Sequence, residues 1–118
     1  METAEELSHR PPPALVELIA ERFRVLGEPM RIRLLDALRG APATVGELQQ
    51  ATGATQQNVS KHLGVLLRSG LLSRRKEGNH SLYAIADEGV FELCEQVCGG
   101  MRRQLDDLDA LLQGGLNR

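Results

Sequence analysis

Between positions 55 and 62 the chain reads Thr55-Gln56-Gln57-Asn58-Val59-Ser60-Lys61-His62, a run of amides and hydroxyls that ends in cationic groups. Displayed along one face of a helix, Gln56, Gln57 and Asn58 can pair with adenine edges and Ser60 can bond a base or a phosphate. Lys61, His62 and the later Arg68 can reach phosphate oxygens, which fix orientation without reading sequence. A second basic group, Arg74, Arg75, Lys76 and His80, suits the flanking phosphates of double-stranded DNA or a narrow minor groove. The third set is Cys94 and Cys98, one helical turn apart on a shared face. Two thiolates so placed can bind a soft ion such as As(III), Cd(II) or Pb(II), with a third ligand from a second chain or from His9. Persulfide or polysulfide chemistry is the other reactive use of the pair. Both cysteines also fit a purely packing role as small apolar residues.

Charge distribution supports the first two sets. The 118 residues carry a formal net charge of -2, yet residues 55–86 hold five cations against Glu77 alone, so this segment is +4 and the remainder -6. A local positive surface of this kind is the electrostatic footprint of a nucleic-acid reader. With 42% apolar but only 3% aromatic residues, the composition predicts one domain with a modest aliphatic core. No apolar run approaches the ~18 residues of a membrane span, no secretory leader pattern opens the chain, and two cysteines are too few for a disulfide scaffold. A cytoplasmic protein without membrane attachment is expected. An enzyme is not expected: no Ser/His/Asp set shares a cleft and no glycine-rich phosphate loop follows a strand.

The elements that must position these residues follow from periodicity. Residues 1–13 are polar, end in three prolines and are expected to form a flexible arm. Leu15, Leu18, Ile19, Phe23 and Leu26 form a helical stripe that stops before Pro29. Pro29 can then start a second helix, with Ile32, Leu35 and Leu38 on one flank, ended by Gly40. Thr44 and Glu47 have capping-box spacing for a short third helix to Thr52. After Gly53, Thr55 caps a fourth helix whose Val59, Leu63, Leu66 and Leu67 share a face opposite Gln57, Lys61, Gly64 and Arg68. Helix, glycine-bearing turn, helix is the outline of a helix-turn-helix, with small Ala51 expected at the crossing. Residues 72–76 and 81–85 read as strands around a turn at 77–80, a basic hairpin. From Asp87 onward Cys94, Val97, Met101, Leu105, Leu108 and Leu112 step by three or four residues, a seam of coiled-coil type. Gly99-Gly100 is expected to interrupt it, and residues 114–118 to form a tail.

The order of four helices, hairpin and final helix, with Leu26-Gly27-Glu28-Pro29-Met30-Arg31, Ser60-x-His62-Leu63 and Ser69-Gly70-Leu71-Leu72, resembles the ArsR/SmtB family of winged helix-turn-helix repressors. The resemblance spans residues 14–112. It implies a mainly α fold with a small β-hairpin wing, dimerising through the first and last helices over residues 14–113. It also implies a homodimer that sits on an operator and leaves when an inducer, often a metal ion, reshapes it. The family's soft-metal Cys-x-Cys pair is absent, since those positions are Thr44 and Gly46. The zinc pattern on the last helix fails at Gly89, Gly100 and Arg103. The reactive-sulfur pairing fails because the second helix has no cysteine. Cys94 and Cys98 remain the candidate sensor, and a repressor without a cysteine sensor, controlled by abundance or a protein partner, is the alternative.

Overall fold

The computed structural model describes residues 10–116, so His9 and most of the expected arm lie outside the described residues. Helix α1 (Pro13–Leu26) begins with proline at a position whose N–H has no helical partner, and closes where Gly27 N–H donates to Phe23 O at 2.9 Å. Helix α2 (Pro29–Ala37) starts the same way and is capped by Glu28, whose carboxylate accepts from Arg31 N at 3.0 Å.

Helix α3 (Val45–Thr52) has the expected capping box: Thr44 Oγ1 accepts from Glu47 N, and Glu47 Oε1 accepts from Thr44 N. It ends at Gly53 with φ +72°, a left-handed conformation that costs other residues a Cβ clash. Helix α4 (Gln56–Arg68) follows at once, capped by Thr55 Oγ1, which accepts from Asn58 N at 3.1 Å. The turn between α3 and α4 is therefore three residues with a cap at its end, which leaves little freedom in their relative placement.

Strands β1 (Leu72–Glu77) and β2 (His80–Ile85) pair antiparallel with Leu72 opposite Ile85 and Glu77 opposite His80. Pairing thus extends one residue further on each side than the sequence suggests. It leaves a two-residue turn in which Gly78 adopts φ +63°, as hairpin turns with glycine first require. A third segment joins the hairpin: Ala43 exchanges two backbone hydrogen bonds with Tyr83, anchoring the wing's base to the loop before α3. Helix α5 (Glu88–Leu116) is capped by Asp87, whose Oδ1 accepts from Val90 N at 3.2 Å. Gly99-Gly100 does not interrupt it: roughly 1 kcal/mol per glycine is spread over a 29-residue helix with good helix formers on both sides. The helix runs through Leu116, so the expected tail from residue 114 is helical at its start.

Leu34, Leu48, Val59, Leu63, Leu66 and Leu71 are the most deeply buried side chains, and they join α2, α3, α4 and the entry to β1 into one core. Two expectations change here. Ile32 is exposed while Leu34 and Leu35 face inward, because α2 lies between α1 and the α3–α4 pair and turns its 34/35/38 side toward both. Ala51 is exposed rather than at the helix crossing. Its neighbour Thr52 is the buried residue, without loss because its hydroxyl donates to Leu48 O at 2.8 Å and accepts from Ala54 N.

The radius of gyration is 19.0 Å, against ~13 Å for a compact chain of this length. The excess is the projecting α5, ~43 Å long at 1.5 Å per residue. Arg39, just past the end of α2, fastens the first turns of α5 by an ion pair with Glu95 and by lying 5.7 Å from the centre of the Phe91 ring, while a second ion pair ties it to Asp36 of α2. Leu66→Ala should cost about 2–5 kcal/mol by removing a fully buried side chain, and Gly53→Ala about 1–2 kcal/mol by forcing a Cβ into the left-handed region. Urea denaturation at matched protein concentration checks both.

Candidate nucleic-acid interface

Helix α4 is anchored along one side by Val59, Leu63 and Leu66, all at or below 1% exposure. With that side fixed, the helical period turns Gln56, Gln57, Ser60, Lys61 and Arg68 into solvent, and all five are exposed. Asn58 is half-buried near the helix start, where its backbone N–H is taken by the Thr55 cap. The Arg68 guanidinium folds back over Gly64, one turn earlier, a contact open to it because position 64 has no side chain.

His62 departs from the expectation. It is only 7% exposed and belongs to the inner side of α4. At 100° per residue, position 62 lies within about 60° of Val59 and Leu66 and about 100° from Lys61. Its Nδ1 lies 3.1 Å from Arg31 Nη1 and 3.7 Å from Glu28 Oε2. Because a guanidinium can only donate, Nδ1 accepts, and the neutral ring carries its proton on Nε2. Burial is the largest single influence on Glu28 and works against ionising it, but the backbone N–H groups of Arg31 and Met30 and the nearby positive charge together outweigh it and hold that carboxyl below its ordinary range. The sequence reading missed both partners, since nothing local relates positions 31 and 62.

In the hairpin Arg74, Arg75, Lys76 and His80 are all exposed. Side chains alternate along β1, so Arg74 and Lys76 leave from the face that Leu72 buries at the strand's base, and Arg75 leaves from the other. The wing therefore carries cations on both faces. Arg75 is partly engaged by Glu77 at 3.4 Å, a long and exposed contact that holds it weakly.

Cys94 and Cys98 lie on α5, away from these two surfaces. Both are free thiols; Cys94 is half-buried against the core and Cys98 is exposed. They border a groove of about 370 Å³ between α2, α3 and α5, walled by Ile32, Leu35, Val90 and Phe91. Burial pushes the Cys94 thiol above its ordinary range, so less of it is thiolate near neutrality. Among the described residues no group of three His, Cys, Asp or Glu side chains could hold a metal ion. The described residues of one protomer thus offer the two sulfurs and no third donor beside them.

A family model described as a helix-turn-helix domain matches residues 26–75, from the end of α1 into β1. The chain is 38% identical to Rv0081, an uncharacterized HTH-type transcriptional regulator of Mycobacterium tuberculosis, over 84% of this chain and 88% of that protein. A solution structure from Mycobacterium bovis superposes with a TM-score of 0.72 at 30% identity, covering 79% of this chain and 86% of that one. That structure is a homodimeric winged helix-turn-helix DNA-binding domain, described as a possible ArsR-family transcriptional regulator. The chain belongs to the ArsR/SmtB family of winged helix-turn-helix transcriptional regulators. Another relative is a probable mercury resistance operon repressor of Streptomyces lividans, 34% identical over 63% of this chain and 59% of its own length.

In family terms, α3 and α4 are the helix-turn-helix and β1–β2 is the wing. Among the described residues no helix is long and apolar enough to cross a membrane. At pH 7 Cys94 should react with a maleimide more slowly than Cys98, and its rate should rise more steeply as pH increases, because its raised pKa leaves more thiolate still to form. Mass-spectrometric labelling of the two positions from pH 6.5 to 9 measures this.

Proposed function

We propose that this ArsR/SmtB regulator is a homodimeric repressor that reads double-stranded DNA with α4 and the wing and is released by a thiophilic inducer at Cys94 and Cys98. The observation that carries the DNA half is the division of α4: an inner side locked into the core and an outer side of exposed amides, hydroxyl and cations. Gln56, Gln57 and Asn58 lie in its first turn, the end that enters a major groove in helix-turn-helix proteins, where amides pair with adenine edges. Ser60, Lys61 and Arg68 serve phosphate or base, and Arg74, Arg75, Lys76 and His80 follow the flanking backbone.

The dimer half rests on apolar surface that a lone chain would leave wet. Leu15, Leu18, Ile19 and Phe23 on α1, and Val97, Met101, Leu105, Leu108 and Leu112 on α5, are all exposed, with Leu18 at 67%. Apolar surface on that scale marks an association site. A second copy supplies a matching pair of helices, and two-fold symmetry then sets two α4 helices toward half-sites about one DNA turn apart.

For the inducer, Cys94 and Cys98 are one turn apart beside that seam, so a soft ion or a sulfur chain bridging them loads α5 directly. The third donor that As(III), Cd(II) or Pb(II) needs would come from the partner or from His9. Coupling of about 1–3 kcal/mol between this site and DNA would weaken binding roughly five- to 150-fold. The packing of Cys94 against the core favours the alternative, a repressor with no cysteine sensor that answers to abundance or a protein partner.

Fluorescence anisotropy on a duplex selected from a random-sequence pool tests the reading. Wild type should bind with log K falling linearly in log salt, and neutralising Arg74, Arg75 and Lys76 to Gln should flatten the slope by up to ~0.9 per lost phosphate contact. Gln57→Ala should cost about 1–3 kcal/mol on the selected site while leaving nonspecific binding nearly unchanged. Titration with As(III), Cd(II) and polysulfide should release wild type and spare Cys94→Ser/Cys98→Ser. Equal responses of the two would remove the cysteines from the mechanism and leave the DNA reading intact.

A further inference from the structure

Two arginines lie between the helices assigned to dimerisation and the helix assigned to reading. Arg31, two residues into α2, has contacts to α1, to α4 and to the cap of its own helix. Its Nε donates to Val25 O in the last turn of α1 at 2.6 Å, its Nη1 donates to His62 Nδ1 within α4 at 3.1 Å, and its backbone N–H donates to the Glu28 carboxylate. Arg22, on α1, donates through Nη2 to Ser69 O at the C-terminal cap of α4 at 3.0 Å. Its Nη1 donates to Asp87 Oδ2, on the residue that caps α5, at 2.9 Å. The reading helix is thus held at its middle and at its end by guanidinium groups whose other hydrogen bonds go to α1 and α5.

Packing alone does not supply this. Val59, Leu63 and Leu66 fix how deeply α4 sits, but aliphatic contacts are non-directional and let a helix roll or slide by a fraction of a side chain. Hydrogen bonds to a planar guanidinium constrain direction, and these arise from a half-buried group with a buried imidazole acceptor, where water competes poorly. His62 is therefore better understood through its acceptor atom than as a DNA contact.

We propose that Arg31 and Arg22 form a brace that sets the orientation of α4 relative to α1 and α5, making Arg31, His62 and Arg22 positioning residues for DNA reading that touch no DNA themselves. This rests on the proposed repressor function for the DNA it reads, but the brace itself exists in the free protein. Through Asp87 and Arg22, a displacement at the start of α5 is carried to the end of α4 by two hydrogen bonds.

The test compares variants of the full chain that differ in where an acceptor sits. In asparagine, Oδ1 occupies the place of His62 Nδ1, whereas the glutamine amide lies further out, toward Nε2. His62→Asn should stay within about threefold of wild type on the selected duplex, while His62→Gln, His62→Leu and Arg31→Met each lose about tenfold. Arg31→Met/His62→Leu should be no weaker than either single change, as expected of two ends of one interaction. The salt slope should stay at the wild-type value in all of them, because no phosphate contact is lost. In the free dimer, hydrogen exchange over residues 56–68 should speed up in Arg31→Met and Arg22→Gln while residues 101–112 are unchanged.

A slope flattened by ~0.9 in Arg31→Met would make Arg31 a phosphate ligand and overturn the proposal. Additive losses, or His62→Gln matching His62→Asn, would also overturn it. If wild type binds no duplex, the repressor reading fails by itself, and the exchange rates alone decide the brace: unchanged protection of α4 in both arginine variants would refute it.

Discussion

A helix can offer side chains to a groove only if its opposite side is held, and in this protein that constraint governs everything else. Val59, Leu63 and Leu66 bind α4 to the core formed by Leu34, Leu48 and Leu71, and the rest of the fold is arranged around keeping that contact. The left-handed turn at Gly53 and the Thr55 cap bring α3 and α4 together within three residues. The hydrogen bonds between Ala43 and Tyr83 tie the wing to the same core, so the two cationic surfaces are parts of one body rather than separate appendages. Exposure of Gln56, Gln57, Ser60 and Lys61 is a consequence of that anchoring.

The same core is too small for the whole chain. It covers α2, α3, α4 and the base of the hairpin, but leaves the apolar stripes of α1 and most of α5 in solvent. In a chain with 3% aromatic residues, a few aliphatic side chains must close each interface, and among the described residues no further element lies over most of the 29-residue α5. In the proposed homodimer a partner surface of the same composition resolves the deficit. On that proposal the architecture divides into a layer that associates and a layer that reads DNA, with α2 and its arginine contacts lying between.

The cysteine pair illustrates how environment shapes chemistry. Cys94 and Cys98 look equivalent as a spacing, yet one is half-buried with its thiolate disfavoured and the other faces water. A bridging ligand would have to overcome the desolvation of Cys94, which makes thiophilic species with strong bonds to sulfur better candidates than hard or weakly bound ions. The groove beside the pair opens between α2, α3 and α5, so a ligand there would press on the reading layer and the associating layer at once.

Local chemistry in the chain accounts for most of the architecture: Pro13 and Pro29 at helix starts, the Thr44/Glu47 box, the Thr55 cap, glycines at the turns, and periods that switch from helix to strand and back. These signals act over a few residues, so they can be recognised without knowing the fold. They also located the polar face of α4, the basic wing and the cysteine spacing. Long-range placement lay beyond them. Whether His62 faces groove or core depends on Arg31, 31 positions away, and the tie between Arg22 and Asp87 spans 65. Ala51 and Thr52 are adjacent, and which of them is buried is settled only when the surrounding helices pack, the Thr52 hydroxyl then being satisfied by Leu48 O and Ala54 N. Periodicity assigns a side of a helix to within a residue or so, whereas the identity of a buried polar contact is fixed only when separate elements close around it.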